Sequence, residues 1–177
     1  MLDKNIRLEG EITTIRAFRK SDINDAYLSW LNDNETMRYS NQRFITHTEN
    51  SALNYINSFI DTSNRLFAVE DSNTSKLIGT ITAYCLEREG IVDLGILLGD
   101  KGSAGKGFGK DCWCAMIEWL KNQDNVRKIT AGTVSLNKPM LALMRSAKML
   151  EDGRRRKQQI IEGKPVDVLY FALFSDV

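Results

Sequence analysis

A mostly apolar run, a glycine-rich loop and a helix-forming segment follow one another without interruption over residues 91–122. The run from Ile91 to Leu98 is rich in β-branched residues and predicts a buried strand. The loop after it contains glycines at positions 99, 102, 105, 107 and 109, and residues 110–122 then have helical periodicity. This order predicts a strand and a helix joined by a loop whose backbone can approach a ligand closely.

A helix that begins directly after such a loop predicts an anion site. The first N–H groups of a helix have no intrahelical partner, and the positive end of the helix dipole lies beside them. Lys106 and Lys110 add positive charge at the same place. The expected guest is a phosphate or a pyrophosphate, and the plainer alternative is a surface loop before an ordinary helix.

Two familiar phosphate loops do not fit these residues. The Walker pattern ends with Gly-Lys followed by Ser or Thr, and Gly109-Lys110 supplies only part of it. Ala104 stands at its leading glycine, and Asp111 stands at its Ser or Thr. The dinucleotide fingerprint would need glycine at position 110 or 112, where the chain has Lys110 and Cys112. Neither an ATPase nor a Rossmann dehydrogenase is supported.

Composition predicts one domain over residues 1–177 that needs neither disulfides nor metals. The chain is 42% hydrophobic, which is enough for a substantial core at this length. Its net charge of +1 gives no indication of a nucleic-acid or membrane surface. No signal peptide or membrane-length apolar run is apparent. Three cysteines in apolar contexts and a single histidine indicate buried thiols in a reduced, cytoplasmic protein rather than a zinc site.

Periodicity and turn signals give the order β-α-α-β-β-β-α-β-α-β-β. Ser21 and Thr48 are expected to begin the first two helices. The predicted elements are strands 12–18, 66–70, 77–86, 91–98, 128–136, 154–161 and 165–174, and helices 21–31, 48–60, 110–122 and 138–147, with a further helical turn at 35–39.

The segment Ala104-Gly-Lys-Gly-Phe-Gly109 resembles the pyrophosphate loop of the GNAT superfamily of acyl-CoA-dependent N-acetyltransferases. That family's pattern is Arg or Gln, two variable residues, Gly, one variable residue, and then Gly or Ala. Ala104 is the one departure, and it removes a side chain but no backbone amide. The resemblance extends over the order of elements and implies a GNAT fold of mixed α/β class, in which a mostly antiparallel sheet is splayed between its fourth and fifth strands.

The resemblance also implies acetyl-CoA as the co-substrate, with no metal. Asn137 matches a family asparagine whose amide reaches the pantetheine arm, and it is also a good helix N-cap. The strand backbone beside the pantetheine and thioester, and the loop around the pyrophosphate, are expected to be formed by Ile96, Leu97, Leu98, Gly105, Lys106, Gly107, Gly109 and Lys110.

Three positions near Asn137 depart from the family. Lys148 and Met149 stand where a Gly-Phe pair is usual. Met144 occupies the helical position where many relatives carry a tyrosine that protonates the departing thiolate. A thioether has no proton to give. Water or another residue is therefore expected to supply it, or the thiolate leaves unassisted, since a thiol of pKa roughly 8–9 departs readily.

The general base is less clearly indicated. Some relatives carry a catalytic glutamate at the position of Gly132. Asp93 is a charge within an apolar strand and is a candidate base, acting directly or through a water; an exposed or ion-paired strand residue is the alternative. Ser135 is a candidate proton relay or substrate contact. His47 is the single histidine of the chain, a side chain often used in acid–base catalysis, but its place before a helix favours capping or packing.

The N-terminal helices, hairpin loops and final strands are expected to select the acceptor. Residues 27–39 resemble the superfamily branch that contains ribosomal-protein N-terminal acetyltransferases and nucleotide-linked amino-sugar acetyltransferases. The residues after them favour the second group. Arg38, Arg43 and the basic run that starts at Arg154 are candidates to hold acceptor phosphates, and Trp30, Tyr39 and Phe44 are candidates to stack on a base. Ordinary packing and solvation is the alternative for all six.

The sequence therefore predicts acetyl transfer to a small amine, such as an amino sugar on a nucleotide. A protein N-terminal alanine or serine is the alternative acceptor. A non-catalytic CoA-binding module is the alternative from another class, since Met144 and Gly132 lack the groups that many relatives use. The expected partners are the amine or a protein N-terminus, with a homodimer left open, and neither nucleic acid nor membrane.

Overall fold

The computed structural model of the protein describes residues 2–3 and 6–175. The described residues form eight strands and four α-helices. The strands are β1 Arg7–Glu9, β2 Thr13–Ala17, β3 Arg65–Asp71, β4 Leu77–Leu86, β5 Ile91–Leu98, β6 Lys128–Val134, β7 Leu150–Ile161 and β8 Lys164–Phe174, and the helices are α1 Asp25–Asn32, α2 Glu49–Asn57, α3 Phe108–Lys121 and α4 Lys138–Ser146.

All eight strands belong to one sheet in the order β1-β2-β3-β4-β5-β6-β8-β7. Every neighbouring pair is antiparallel except β5 and β6, which run parallel. This is the mixed, mostly antiparallel sheet that the sequence predicted. Because α3 connects β5 to β6, the parallel pair has the crossover connection that parallel strands require.

The two faces of the sheet are covered by different helices. Helices α3 and α4 pack on one face, where Trp113, Met116, Leu120 and Met144 are fully buried. Helices α1 and α2 cover only part of the other face, around Phe18, Tyr27, Trp30 and Ala68. On the rest of this second face, Val134 and Val168 are buried in a smaller cluster, whereas Asp93 and Gly132 are exposed.

Most predicted element boundaries shift by one to three residues, and three differences are larger. The short strand β1 was not predicted, and it pairs with β2. Ser21 does not begin α1. Asn24 does, because its side-chain oxygen accepts a hydrogen bond from the Tyr27 N–H at 2.9 Å. Strand β7 begins at Leu150 rather than at residue 154. Thr48 caps α2 as expected, and β5 has the predicted bounds.

Candidate functional site

The parallel pair β5 and β6 separates soon after it forms. Their pairing runs only from Ile91 with Lys128 to Asp93 with Thr130. Beyond that row, β5 continues to Leu98 and β6 to Val134 without pairing with each other. Strand β4 pairs with β5 along its whole length, and β8 pairs with all of β6. Each wall of the gap is therefore held by another strand, and the gap has backbone on both sides.

The glycine loop lies at the end of the β5 wall. Gly105 has φ +72° and Gly107 has φ +90°, a conformation that a Cβ strongly disfavours. Gly107 is the N-cap of α3, and no side chain caps this helix. The N–H groups of the first helical turn therefore have no intrahelical or side-chain partner. Lys106 and Lys110 are both exposed nearby. The arrangement fits a phosphate group.

The loop packs directly against the strand that precedes it. A Cβ on Gly109 would lie 3.0 Å from Cδ1 of Leu98, so only glycine allows this contact without a shift. Ile96 belongs to the core under α3 and α4, and Leu97 lies on the opposite face because side chains alternate along a strand. Ile96, Leu97 and Leu98 thus form the part of the β5 wall nearest to the loop. The structure brings these predicted cofactor residues together, and their binding role stays a prediction.

The Asp111 carboxylate, which the sequence analysis did not identify, holds α3 against the turn between β1 and β2. The Asp111 carboxylate accepts hydrogen bonds from the backbone N–H groups of Glu11, Ile12 and Thr13 at 2.8, 3.1 and 2.9 Å. It also accepts one from the Thr13 hydroxyl. Burial opposes ionisation of Asp111, but these hydrogen bonds prevail and lower its pKa. A Cβ on Gly10 would overlap the carboxylate, so the close turn requires glycine there.

Asn137 and Met144 lie at the N-cap and near the end of α4, the helix that follows β6. Asn137 caps α4, with its side-chain oxygen accepting from Met140 N–H at 3.3 Å, and its amide donates to Thr133 Oγ1 at 3.0 Å. The capping role is confirmed. Met144 is fully buried in the core between the sheet and helices α3 and α4. Because its side chain is a thioether, it has no proton to donate.

Ser135 follows directly after β6. Its backbone N–H donates to the Asp167 carbonyl at 2.8 Å. Ser135 and Leu98 are each five positions beyond the last paired row of β5 and β6, so they stand at the same level on opposite walls. The catalytic role of Ser135 stays a prediction.

Asp93 lies in the last paired row, on the face opposite α3 and α4. Its side chain is accessible to solvent, and Thr130 Oγ1 donates to Asp93 Oδ1 at 2.6 Å. Burial by surrounding protein raises the pKa of Asp93, although the Thr130 hydrogen bond acts in the opposite direction. Tyr84 is its antiparallel neighbour on β4, and the Tyr84 hydroxyl is 2.9 Å from that of Tyr55 on α2. The sequence singled out Asp93 alone from this group.

The residues proposed for acceptor phosphates have partners within the chain. Arg38 pairs with Glu162 at 2.8 Å, and Arg154 lies 3.6 Å from Asp167. Arg43 donates to two backbone carbonyls, and its guanidinium lies 4.2 Å from the centre of the Phe44 ring.

The remaining candidates have different surroundings. Trp30 is buried against Gly99, where a Cβ would overlap the indole. Tyr39 is half-buried beside Val134 and Tyr170, whereas Phe44 is 79% exposed. His47 lies between α1 and α2, away from the gap, with Nε2 at 3.3 Å from the Gln42 carbonyl. These contacts account for His47 without a catalytic role.

Within residues 2–3 and 6–175, no group of three His, Cys, Asp or Glu side chains is arranged to hold a metal ion. In the same part of the chain, no helix combines the length and the apolarity needed to span a membrane. Cys112 is buried, Cys85 and Cys114 are half-buried, and all three are free thiols.

Residues 13–150 match the family described as the acetyltransferase (GNAT) domain. The chain belongs to the GNAT acetyltransferase family. This family is the one that the glycine loop resembled, and its activity is acyl-CoA-dependent N-acetyl transfer.

Relatives of this GNAT protein match it nearly end to end. It is 26% identical over 175 residues to the uncharacterized N-acetyltransferase p20 of Bacillus licheniformis, covering 95% of this chain and 97% of the relative. Among solved structures, spermidine N-acetyltransferase from Vibrio cholerae, in complex with CoA and spermine, has a TM-score of 0.81 at 20% identity, covering 92% of this chain and 95% of that one. A ribosomal L7/L12 alpha-N-protein acetyltransferase in complex with CoA has a TM-score of 0.84 at 13% identity, covering 97% and 99%.

Proposed function

We propose that this GNAT protein transfers the acetyl group of acetyl-CoA to a primary amine of a small molecule, by direct attack in a ternary complex. The observation that carries the proposal is the gap between β5 and β6, which opens beside the uncapped amino end of α3. The gap admits an extended chain between two strands, and the helix end binds an anion. A pantetheine arm joined to a pyrophosphate has both parts.

The cofactor residues in this proposal are those of the β5 wall and the loop. Backbone amides of Gly105, Gly107 and Gly109 hold the pyrophosphate, and Lys106 and Lys110 add positive charge. Backbone groups of Ile96, Leu97 and Leu98 align the pantetheine and polarise the thioester carbonyl, which places charge stabilisation where it develops. Asn137 reaches the pantetheine arm from the other wall. When bound, acetyl-CoA supplies a thioester that an amine can attack.

The acceptor in this proposal is a small amine. The two solved relatives act on spermidine and on a ribosomal-protein N-terminus, so this fold serves both kinds of acceptor. An amino sugar on a nucleotide would need cations for its phosphates, but Arg38 and Arg154 are already paired with carboxylates. These ion pairs therefore support a small amine as the acceptor more than an amino sugar on a nucleotide. A protein N-terminus remains the alternative acceptor.

Two acceptor-side residues, Asp93 and Ser135, are the candidates for proton transfer in this proposal. Asp93 is three residues from Ile96, which is roughly 10 Å along a strand. A base must come within about 3 Å of the proton, or reach it through one water. Asp93 therefore cannot act on an amine beside Ile96 by direct contact. Ser135 stands on the opposite wall at the level of Leu98, two residues beyond Ile96, so its role in this proposal is to relay the proton through water or to contact the acceptor.

Thiol release with a panel of amines tests the proposal. The purified protein is mixed with acetyl-CoA and with alkyl amines, amino sugars, or short peptides that begin with alanine or serine. We expect thiol release above hydrolysis with at least one small amine, and a matching acetylated product by mass spectrometry. CoA binding by calorimetry with no amine-dependent thiol release would instead support a non-catalytic CoA-binding module.

We infer that residues 1–177 form a single acetyltransferase domain that works in the cytoplasm, with acetyl-CoA and the amine as its partners. Every cofactor and acceptor residue in this proposal belongs to one chain, whether or not the protein forms a homodimer. Sedimentation of the purified protein measures the assembly directly.

A further inference from the structure

A row of polar side chains crosses the sheet on the face opposite α3 and α4, at the point where the gap begins. Tyr84 on β4, Asp93 on β5 and Thr130 on β6 are paired across neighbouring strands and therefore point to the same side. Thr130 donates to one Asp93 oxygen at 2.6 Å. Tyr55 on α2 extends the row through its hydroxyl contact with Tyr84. We call these four residues the Asp93 row.

The Asp93 carboxylate has no cationic partner among the described residues. The nearby carboxylate of Asp152 differs in this respect, because Lys128 Nζ lies 2.6 Å from it. Thr130 occupies one oxygen of Asp93, and no described residue donates to the other. The side chain is nevertheless accessible from solvent. A solvent-accessible carboxylate without a cationic partner favours a positively charged ligand, since a nearby opposite charge stabilises its ionised form.

Aromatic rings lie on one side of this carboxylate. The ring centres of Phe59 and Tyr84 are 5.9 Å apart, and those of Tyr55 and Phe59 are 5.1 Å apart. Tyr84 keeps 42% of its surface exposed. Aromatic faces attract cations and cover methylene groups. The surroundings of Asp93 thus suit an alkyl ammonium group better than a hydrated metal ion.

The two residues that follow Asp93 and Thr130 on this face are glycines, so the neighbouring side chains lie close against the backbone here. Gly95 and Gly132 are each two positions beyond the last paired row, on the same face as Asp93. Thr82 flanks the first glycine, since a Cβ there would lie 2.6 Å from its hydroxyl. The Tyr170 ring flanks the second, with Cδ1 3.0 Å from the position of a Cβ. Gly132 is exposed, so an aliphatic chain that crosses here would contact glycine backbone, the Thr82 hydroxyl and the Tyr170 ring.

We propose that Asp93 binds a second ammonium group of the acceptor, and that the acceptor class is therefore a short aliphatic diamine. This rests on the proposed function, which places the thioester beside Ile96. Asp93 and Ile96 are three residues apart, roughly 10 Å, and the reach of the carboxylate shortens the nitrogen-to-nitrogen span to about 6–8 Å. A four- or five-carbon diamine has this length. Its methylenes lie over Gly95 and Gly132 while its free amine attacks the thioester.

Comparing two amines of equal length tests the proposal. 1,4-Diaminobutane and butylamine differ only in the second amino group. We expect kcat/KM for the diamine to exceed that for butylamine by at least about tenfold, as a charge-assisted contact provides. Asp93→Asn keeps the shape of the side chain and an acceptor for Thr130. In this variant we expect the diamine-to-butylamine ratio to fall to about 1, because the charge that binds the second ammonium is gone.

Two further variants sharpen this test. Asp93→Glu restores the charge one methylene closer to the thioester, so we expect the preference to return but to move toward 1,3-diaminopropane. Asp152→Asn removes another carboxylate on the same side of the sheet and is expected to leave the ratio unchanged. A wild-type protein without diamine preference overturns the proposal. So does an Asp93→Asn variant that loses activity toward both amines by the same factor, because that is the result for a general base.

Binding without turnover separates this inference from the proposed function. Calorimetry measures the affinity of the complex with CoA for 1,4-diaminobutane. If the diamine binds in an Asp93-dependent way but no thiol is released from acetyl-CoA, the second-ammonium site stands and the proposed function fails. If thiol is released with amines but the diamine binds no better than butylamine, the function stands and this inference fails.

Discussion

The two sides of the β5–β6 gap are built in different ways. On the cofactor side, the β5 wall, the glycine loop and the start of α3 are contiguous in sequence, and backbone amides provide the expected contacts. On the acceptor side, the Asp93 row draws its four side chains from α2, β4, β5 and β6. Backbone binding depends on local conformation, whereas side-chain binding depends on which strands become neighbours.

This difference predicts different responses to substitution. A change in the loop is expected to act on CoA affinity and to leave the choice of amine unaffected. A change in the Asp93 row is expected to act on the choice of amine and to leave CoA affinity unaffected. The variants below test where this separation holds.

Gly107→Val is expected to have the largest effect. Valine strongly disfavours φ +90°, at a cost on the order of 1–3 kcal/mol, and its branched side chain covers the amides that face the phosphate. Gly107 is exposed, and the nearest atom to an added Cβ is Ile12 Cδ1 at 3.9 Å, so the fold should survive. We expect CoA affinity to fall by about 100-fold or more, counting both effects.

Calorimetric titration with CoA measures this loss, and circular dichroism checks the fold. Gly153→Ala is the matched control, because Gly153 lacks a positive φ and has open space around it. Unchanged CoA affinity in a folded Gly107→Val protein would remove the glycine loop from the site.

Asp111→Asn tests whether the loop depends on distant parts of the chain. The amide cannot accept all four hydrogen bonds from the β1–β2 turn, so unfolding free energy should fall by about 1–3 kcal/mol at pH 7. The pKa of Asp111 lies below its ordinary value of 3.8 in the folded protein. Its contribution is therefore complete above that ordinary value and is lost as pH falls through the lower, folded-state pKa.

Urea unfolding at pH 7 and at pH 3 measures this contribution in the wild type and the variant. The two curves should be separated at pH 7 and should approach each other as the pH falls below 3.8. A separation that is the same at both pH values would contradict the ionised anchor. If the folded variant also binds CoA normally, the loop is independent of the β1–β2 turn.

Met144→Tyr is expected to have the smallest effect on turnover. With amine attack limiting the rate and water supplying the thiol proton, kcat should change by less than about tenfold, under 1.4 kcal/mol of barrier. Because Met144 is fully buried, the larger ring should also cost about 1–3 kcal/mol of stability. Steady-state kinetics at saturating acetyl-CoA, with a thermal melt, measures both. A large gain in kcat would show that unassisted thiolate departure limits the wild type.

Most of the fold was predictable because its signals are local. Apolar runs and turn residues gave seven of the eight strands among the described residues, and the Glu162-Gly163 turn has the positive φ values of a tight hairpin. Strand β1 escaped prediction because three residues are too few for an alternating pattern. Ser21 was predicted as an N-cap from its residue type, but Lys20–Asp22 form a separate helical turn with Asp22 buried against Arg16, and α1 begins after Asn24.

Only part of the candidate site was predictable from the sequence. The loop glycines could be identified from spacing, and two of them have the left-handed φ that their use in the loop implies. Asp93 was conspicuous as a charge in an apolar strand. Its relation to Tyr84 and Thr130 was not, because those residues lie 9 and 37 positions away in the chain. Asp111 gave no signal beyond its failure to match a Walker loop.

The sequence by itself determined the order of elements and the phosphate-binding character of the loop, since propensity, alternation and glycine backbone freedom act between near neighbours. Only the tertiary structure decided where β5 leaves β6, what anchors α3, and which side chains surround Asp93. Strand register is set by packing across the whole sheet. The pairing of β5 with β6 ends at Asp93 and Thr130, and the gap opens beyond this row.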